Sequence, residues 1–392
     1  VSLSLKITKK DGTTSRSFCT KAGNSPYNNN GVLAWVPSDR IVDEYTYRDA
    51  RLVILRPVID KLAFEYNFSD CGSHKREIRE AVLKNAGKLH DKQGIPFSAA
   101  TKGNVGGRRL HFLQKYYMHN FVLHYEATGA KVIIQLEAKK KGAAYMRCDL
   151  NPARLGAAGM AFFRDFLKLM LSNELKDLTF ETVGRRAKAI KRIDIAVDLL
   201  GVDASDLEGD YIDKDKKLKK HPVQNPTGRV ETMYFKMPEN DKNSASWYNK
   251  RQELKDNAKD PMHGGLQSPY GHALYTRFEY RIQETDKPIA NLKSLFNHLK
   301  KVRFRAIDYS RIDGMDYTHA LFLRYALTRT RDKALAMIPD DLQAEYAASY
   351  DKAIVDIWKP EKIWEKGWHK ELLHLGLTTP EELKKMKKAK KK

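Results

Sequence analysis

Between residues 192 and 199 the chain alternates with a period of two, and this stretch constrains the fold more than any other. Ile193, Ile195, Val197 and Leu199 point one way, while Asp194, Ala196 and Asp198 point the other. Such a segment is a strand with an apolar face to bury. Its opposite face is an anionic shelf, two carboxylates with a small residue between them, suited to a hard cation such as Mg²⁺ or Mn²⁺. Strand rise limits how the shelf is used. Residues four apart are about 13 Å from each other, so one acid would bind an ion while the other orients a basic side chain or substrate.

The surrounding pattern extends this strand into sheets. Strands are expected at 121–125, 131–136 and 144–148, with hairpin loops at 127–130 and 140–142. Residues 52–66 contain a strand-like stretch, with Pro57 limiting its start, and 74–89 has helical spacing. Asn151-Pro152 opens a helix over about 156–172, with Met160, Phe163, Leu167 and Met170 along one side. The second half repeats the theme, with strands at 229–236, 245–250 and 273–283. Pro288 then heads a helical pattern of Ile289, Leu292, Leu295 and Leu299. The expected class is α+β: tandem antiparallel sheets with helices on one face, of the ferredoxin-like or RRM-like plan related to HUH nucleases, plus a C-terminal helical part. The expected division is an N-terminal extension (1–50), a first α+β unit (51–185), a second α+β unit carrying the candidate chemistry (186–312) and a helical region with a basic tail (313–392).

Charge narrows the choice of partner. The 392 residues include 71 Lys and Arg against 49 Asp and Glu, a formal net charge of +22, and seven of the last nine residues are lysine. A polyanion is the natural partner, nucleic acid before an acidic membrane surface. No apolar run reaches the roughly 18 residues needed to span a bilayer, and the first residues lack the pattern of a signal peptide. Cys19, Cys71 and Cys148 lie far apart and read as reduced thiols, so a cytoplasmic location is expected. No phosphate-binding Gly-x-x-x-x-Gly-Lys-Ser/Thr loop is present; the glycines at 103–107 followed by Arg108-Arg109 are too loose a match.

Chemistry concentrates in Ser246-Trp247-Tyr248-Asn249-Lys250-Arg251-Gln252-Glu253. A tyrosine beside two cations holds the parts for a phenolic oxygen to attack a phosphodiester, with Lys250 and Arg251 stabilising charge on the phosphate. The plainer reading is a strand end passing into a solvated helix. Downstream, Arg277, Glu279 and Arg281 share a face opposite Phe278, Tyr280 and Ile282, so Glu279 joins Asp194 and Asp198 as a candidate metal ligand if the strands pair. The same face can instead close cross-strand salt bridges of Asp194 or Asp198 with Arg277 or Arg281.

These segments, in their order, resemble a known family. Arg-Ile-Asp-Ile-Ala-Val-Asp (192–198), Thr-Met-Tyr-Phe-Lys (232–236), Trp-Tyr-Asn-Lys-Arg-Gln-Glu (247–253) and Arg-Phe-Glu-Tyr-Arg (277–281) are similar to segments of the Rep_trans family. So is 146–155, ahead of the central helix. These are replication initiators of rolling-circle plasmids and of filamentous phages of the CTX type. The resemblance covers roughly 110–300 and implies a metal-dependent endonuclease and ligase that nicks an origin. Its tyrosine becomes linked to the 5′ phosphate and leaves a 3′ hydroxyl for DNA replication. Carried over, the nucleophile falls on Tyr248, the Mg²⁺ or Mn²⁺ ligands on Asp194, Asp198 and Glu279, and the phosphate contacts on Lys250 and Arg251. The partners expected are origin DNA (a hairpin or single-stranded nick site with flanking duplex), a host helicase with the replication machinery, and a second copy in a homodimer, with no membrane. The chain lacks the His-hydrophobic-His pair of the broader HUH nucleases, and the lysine-rich 214–221 has no counterpart in the family. Two rivals remain: a non-catalytic basic DNA-binding regulator, and a tyrosine recombinase, whose cations would precede its tyrosine rather than follow it.

Overall fold

The computed structural model describes residues 4–8, 14–18, 36–48, 50–66, 75–92, 116–125, 127–128, 130–139, 145–171, 189–212, 220–226, 229–237, 240–257, 270, 273–285, 287–312 and 315–389. Cys19, Cys71, the glycines at 103–107, most of 214–221 and the last three lysines lie outside them. A hairpin of β1 (Ser4–Thr8) and β2 (Thr14–Phe18) is followed by β3 (Ile41–Tyr47), β4 (Ala50–Leu55) and β5 (Val58–Tyr66). Helix α1 (Lys75–Lys92) then leads to β6 (Tyr117–Tyr125), β7 (Ala130–Ala138), β8 (Met146–Leu150) and α2 (Pro152–Leu171). The second half runs β9 (Ala189–Leu200), β10 (Leu207–Tyr211), β11 (Lys220–Gln224), β12 (Val230–Met237), β13 (Asn240–Asn249), α3 (Lys250–Asn257), β14 (Tyr275–Thr285) and β15 (Val302–Ile307). It ends with α4 (Tyr317–Thr328), α5 (Arg331–Leu335), α6 (Gln343–Ala353), β16 (Ile354–Asp356), α7 (Pro360–His374) and α8 (Pro380–Ala389).

The protein is α+β, and its antiparallel units join edge to edge. Nine strands follow the order β11-β12-β13-β14-β9-β5-β8-β7-β6, with β4 on β9 and β3 on β4 completing an 11-stranded sheet. β9 is the shared strand: β14 lies along one side of it, and β5 followed by β4 lies along the other. The strand-like stretch expected within 52–66 is two strands, broken at Arg56-Pro57, because proline has no amide hydrogen to continue the ladder.

The alternation of β9 sets which face carries the apolar core, although both faces are covered. Ile193, Ile195 and Val197 are fully buried among Leu62, Phe64, Cys148, Met160, Phe163 and Leu167 on the first-half side, and among Phe278, Tyr280 and Trp247 on the other. Burying that many large apolar side chains at about 25 cal/mol per Å² is the main favourable term holding helices and sheet together. β10, β15 and β16 form a small second sheet, and its Phe304 meets Trp247 edge-on at 5.1 Å and Phe278 at 4.7 Å between centroids. Gly209 on β10 is required here, since a Cβ would stand 2.8 Å from the Trp247 ring. The Trp247 indole N–H donates to the Ala204 carbonyl at 3.2 Å, fixing that ring beneath the sheet.

Some helices differ from expectation. The pattern after Pro288 forms two 3-10 turns, Ile289–Ser294 and His298–Lys301, rather than one α-helix. The Asn297 side chain accepts from the Leu299 amide and so starts the second turn afresh. α2 begins at Pro152 but breaks at Gly156, whose φ of 62° lies in the left-handed region that glycine adopts without Cβ strain. α4, α5 and α6 bury their own cluster of Phe322, Leu323, Tyr346 and Tyr350, while α7 sends Ile363, Trp368 and Leu372 into the main core.

Candidate active site

Pinning Trp247 below the sheet forces its neighbour Tyr248 onto the polar face. On β14, Phe278 lies opposite Trp247, Arg277 opposite Tyr248 and Glu279 opposite Ser246, so Glu279 is the diagonal neighbour of Tyr248. The Tyr248 hydroxyl donates a short hydrogen bond to Glu279 Oε1. β13 passes directly into α3, whose first turn is fixed by Asn249 Oδ1 accepting from the Gln252 amide at 3.0 Å. That start brings Lys250 Nζ to 3.3 Å from the Tyr248 oxygen, 5.4 Å from the ring centre and 2.7 Å from Glu253 Oε2. The phenol oxygen therefore sits between a carboxylate acceptor and an ammonium group.

Both lie on the wall of a cleft of ≈ 300 Å³ drawn from both halves of the chain. Its acids are Asp60 from β5, Asp149 from β8, Asp194 from β9, Glu279 from β14 and Glu253 from α3. Lys61, Lys131, Arg192 and Lys250 interleave with them. Asp60 is the extra residue of a β-bulge between Ile59 and Lys61, where the ladder to β9 slips by one. The bulge turns Asp60 toward the cleft, where Arg277 Nη1 reaches it at 2.6 Å.

Burial and like charge shift the titrating groups apart. Burial pushes the Tyr248 phenol well above its ordinary value, and the charge of Glu279 adds to this. Glu279 is itself raised, first by burial and then by the charge of Asp60. For Asp60 burial also pushes upward, but Arg277, Lys250 and Asn151 outweigh it and hold the carboxyl below its ordinary value. Glu279 is thus the stronger base of the two, and it already holds the phenol hydrogen bond.

Of the residues singled out in the sequence, Tyr248, Lys250, Glu279 and Asp194 line this one cleft, and Asp198 and Arg251 are not among its lining residues. Asp198 is 3% exposed and clamped by the Arg277 directly opposite it, Nε to Oδ1 at 2.7 Å and Nη2 to Oδ2 at 3.0 Å, with the Tyr275 hydroxyl at 2.9 Å. Asp194 is 2% exposed and bound by Arg192 Nε at 2.8 Å and by Arg281 Nε at 3.4 Å. The cross-strand salt bridges therefore form, and the expected open anionic shelf is closed by arginines. Arg251, one helical position after Lys250, is half-buried outside the cleft lining. Tyr280 on β14 is fully buried, whereas Tyr234 on β12 is exposed.

Asp194, Asp198 and Glu279 do not converge as three ligands, and no group of three or more His, Cys, Asp or Glu among the described residues is arranged to hold a metal ion. Of the cleft's five carboxylates, Glu279, Asp60 and Glu253 act on the phenol, and Glu253 is taken up by Lys250 at 2.7 Å, which leaves Glu279 and Asp60 as the candidate oxygen donors. Two carboxylates facing space for a phosphate suit Mg²⁺, which takes one or two acids and completes its shell from substrate phosphate and water. Asp60 was not singled out in the sequence, and Arg277 was read there only as a cross-strand partner of Asp194 or Asp198, not as the bridge to Asp60. The signal for Asp60 was the adjacent polar pair Asp60-Lys61 between apolar neighbours, which breaks a period of two as a bulge does. No family model matches the chain, and no curated protein matches it.

Proposed function

We propose that this protein nicks and rejoins DNA by transesterification, in the manner of a rolling-circle replication initiator. The Tyr248 oxygen attacks the scissile phosphorus; a phosphorus–oxygen bond to tyrosine forms and the bond to the 3′ oxygen breaks. The phenol proton passes to Glu279, whose raised pKa suits it to accept, and Lys250 stabilises the negative charge that builds on the oxygens. The departing 3′ oxygen takes a proton from solvent at the cleft mouth. Because the phosphodiester is conserved as a 5′-phosphotyrosine, the 3′ hydroxyl reverses the step without a nucleotide. A divalent cation, where bound, would be held by Glu279 and Asp60 and would supply polarisation of the phosphoryl oxygens. In this reading the partners are origin DNA and the host helicase with its replication machinery, consistent with a net charge of +22.

The observation that carries the proposal is a single phenol oxygen held between Glu279 and Lys250 on the wall of a cleft able to take a phosphodiester. The test is incubation of the full chain with labelled single-stranded oligonucleotides and Mg²⁺ or Mn²⁺, followed by denaturing electrophoresis. The expected result is an adduct whose crosslinked peptide contains Tyr248, absent in Tyr248→Phe, which still binds the oligonucleotide. An adduct surviving in the Phe variant would move the nucleophile elsewhere. No adduct under any metal condition would leave a non-catalytic DNA-binding regulator.

A further inference from the structure

Of the large aromatics of β12, β13 and β14, Phe235, Trp247, Phe278 and Tyr280 lie beneath the sheet and are each at most 2% exposed. Tyr248 and Tyr275 turn to the other face, where their hydroxyls are hydrogen-bonded to Glu279 and Asp198, and Tyr234, in the middle of β12, is 52% exposed. Its cross-strand partner on β13 is Ser246, and Thr232 is the partner of Tyr248. Opposed residues of an antiparallel pair point to the same side, so Tyr234 stands on the cleft face. It is the diagonal neighbour of Tyr248, about 7–8 Å away between backbones. The residues between are small. Ser246 separates Tyr234 from Glu279, and Ser244 separates Lys236 on β12 from Arg281 on β14. The face therefore offers an aromatic ring, a low floor of serines and a cationic flank, leading to the phenol–carboxylate pair.

We infer that Tyr234 is a stacking platform for an unpaired base of single-stranded DNA, the nucleotide adjoining the phosphate that enters the cleft, with Lys236 and Arg281 beside its backbone. The inference rests on reading the cleft as a strand-transfer site and names the residue that would hold the nucleotide beside it. An aromatic side chain on an open sheet face accepts any base through its π-face, provided the base is unstacked and unpaired. A duplex keeps its bases inside and has no base to give Tyr234, so preference for single strands follows from the ring. A base held one diagonal step from Tyr248 would also fix which phosphate the phenol meets.

The experiment measures binding apart from cleavage. Fluorescence anisotropy of the full chain in the Tyr248→Phe background, without divalent metal, would follow a labelled single-stranded oligonucleotide of mixed sequence. Tyr234→Ala should weaken binding about tenfold or more, the size base–aromatic stacking supplies, while Tyr234→Phe stays within about twofold. Irradiation of an oligonucleotide carrying 5-iodouracil should crosslink to the peptide spanning 230–237. An Ala variant that binds within about twofold of the parent, or a crosslink mapping off β12, would overturn the platform. If binding depends on Tyr234 but the unmodified chain forms no covalent adduct, strand transfer fails and the platform stands. If an adduct forms while binding is indifferent to Tyr234, strand transfer stands and the platform fails.

Discussion

Two tyrosine–glutamate pairs in this molecule have nearly the same chemistry and opposite surroundings. In the cleft, Tyr248 donates to Glu279 with Lys250 beside the phenol oxygen. Behind the small sheet, Tyr350 on α6 donates to Glu208 on β10 at 2.5 Å, and Arg305 on β15 meets Glu208 at 2.9 Å and Asp210 at 2.7 Å. Burial raises both glutamates above the ordinary carboxylate range. Tyr350 and Glu208, however, are 1% and 2% exposed, whereas the Tyr248 pair lines a cleft of ≈ 300 Å³. A phenol, a basic carboxylate and a cation are therefore not a site by themselves. Access decides whether the same trio is a structural latch or a place where a phosphate can arrive.

The largest expected effect that sharpens this contrast is on the open pair. Glu279→Gln should slow adduct formation by about a hundredfold to ten-thousandfold, the usual contribution of a general base, while urea unfolding moves by less than about 1 kcal/mol. The stability change is small because the substitution also removes repulsion with Asp60. An undiminished adduct rate would make the pair a latch like its counterpart. Next comes the closed pair. Glu208→Ala strands the Tyr350 hydroxyl and leaves Arg305 with Asp210 alone, and should cost about 3 kcal/mol in urea unfolding while the adduct rate per folded molecule stays unchanged. A lost rate in a fully folded Glu208→Ala protein would break the division of labour between the two pairs.

The smallest effect is in pH. A glutamate whose folded pKa is raised binds its proton more readily folded than unfolded. Each pair therefore takes stability away as pH climbs from the ordinary carboxylate range through the raised value. Glu279→Gln and Glu208→Gln should each flatten that decline in a series of urea titrations. Only Glu279→Gln should also remove the rise of adduct rate with pH that comes from freeing the base.

Much of this geometry was legible in the sequence, and the failures have identifiable causes. The period of two in β9 correctly separated the apolar face from the acidic one, though both are buried, and the matching alternation in β14 put Glu279 on the side of Tyr248. Strand arithmetic also separated Asp194 from Asp198, and the alternative of cross-strand salt bridges with Arg277 and Arg281 is the one that forms; what face counting left open was which arginine stands opposite which acid. Asp60 was invisible to face counting because a bulge reverses the count for one residue, and only the partner register shows which residue is extra. The turns after Pro288 had helical spacing, yet Asn297 restarts the chain between them. β10 and β16 are too short to carry a readable period, at five and three residues.

The central position of β9 has a consequence for how the protein comes into being. Asp60 and Asp149 leave the ribosome early, whereas Tyr248 and Glu279 follow much later, and the strand that brings them together lies between. A chain still being made holds two unconnected halves of the proposed reactive centre, so on that reading nothing capable of cutting a chromosome exists until the segment ending at Thr285 has emerged and docked.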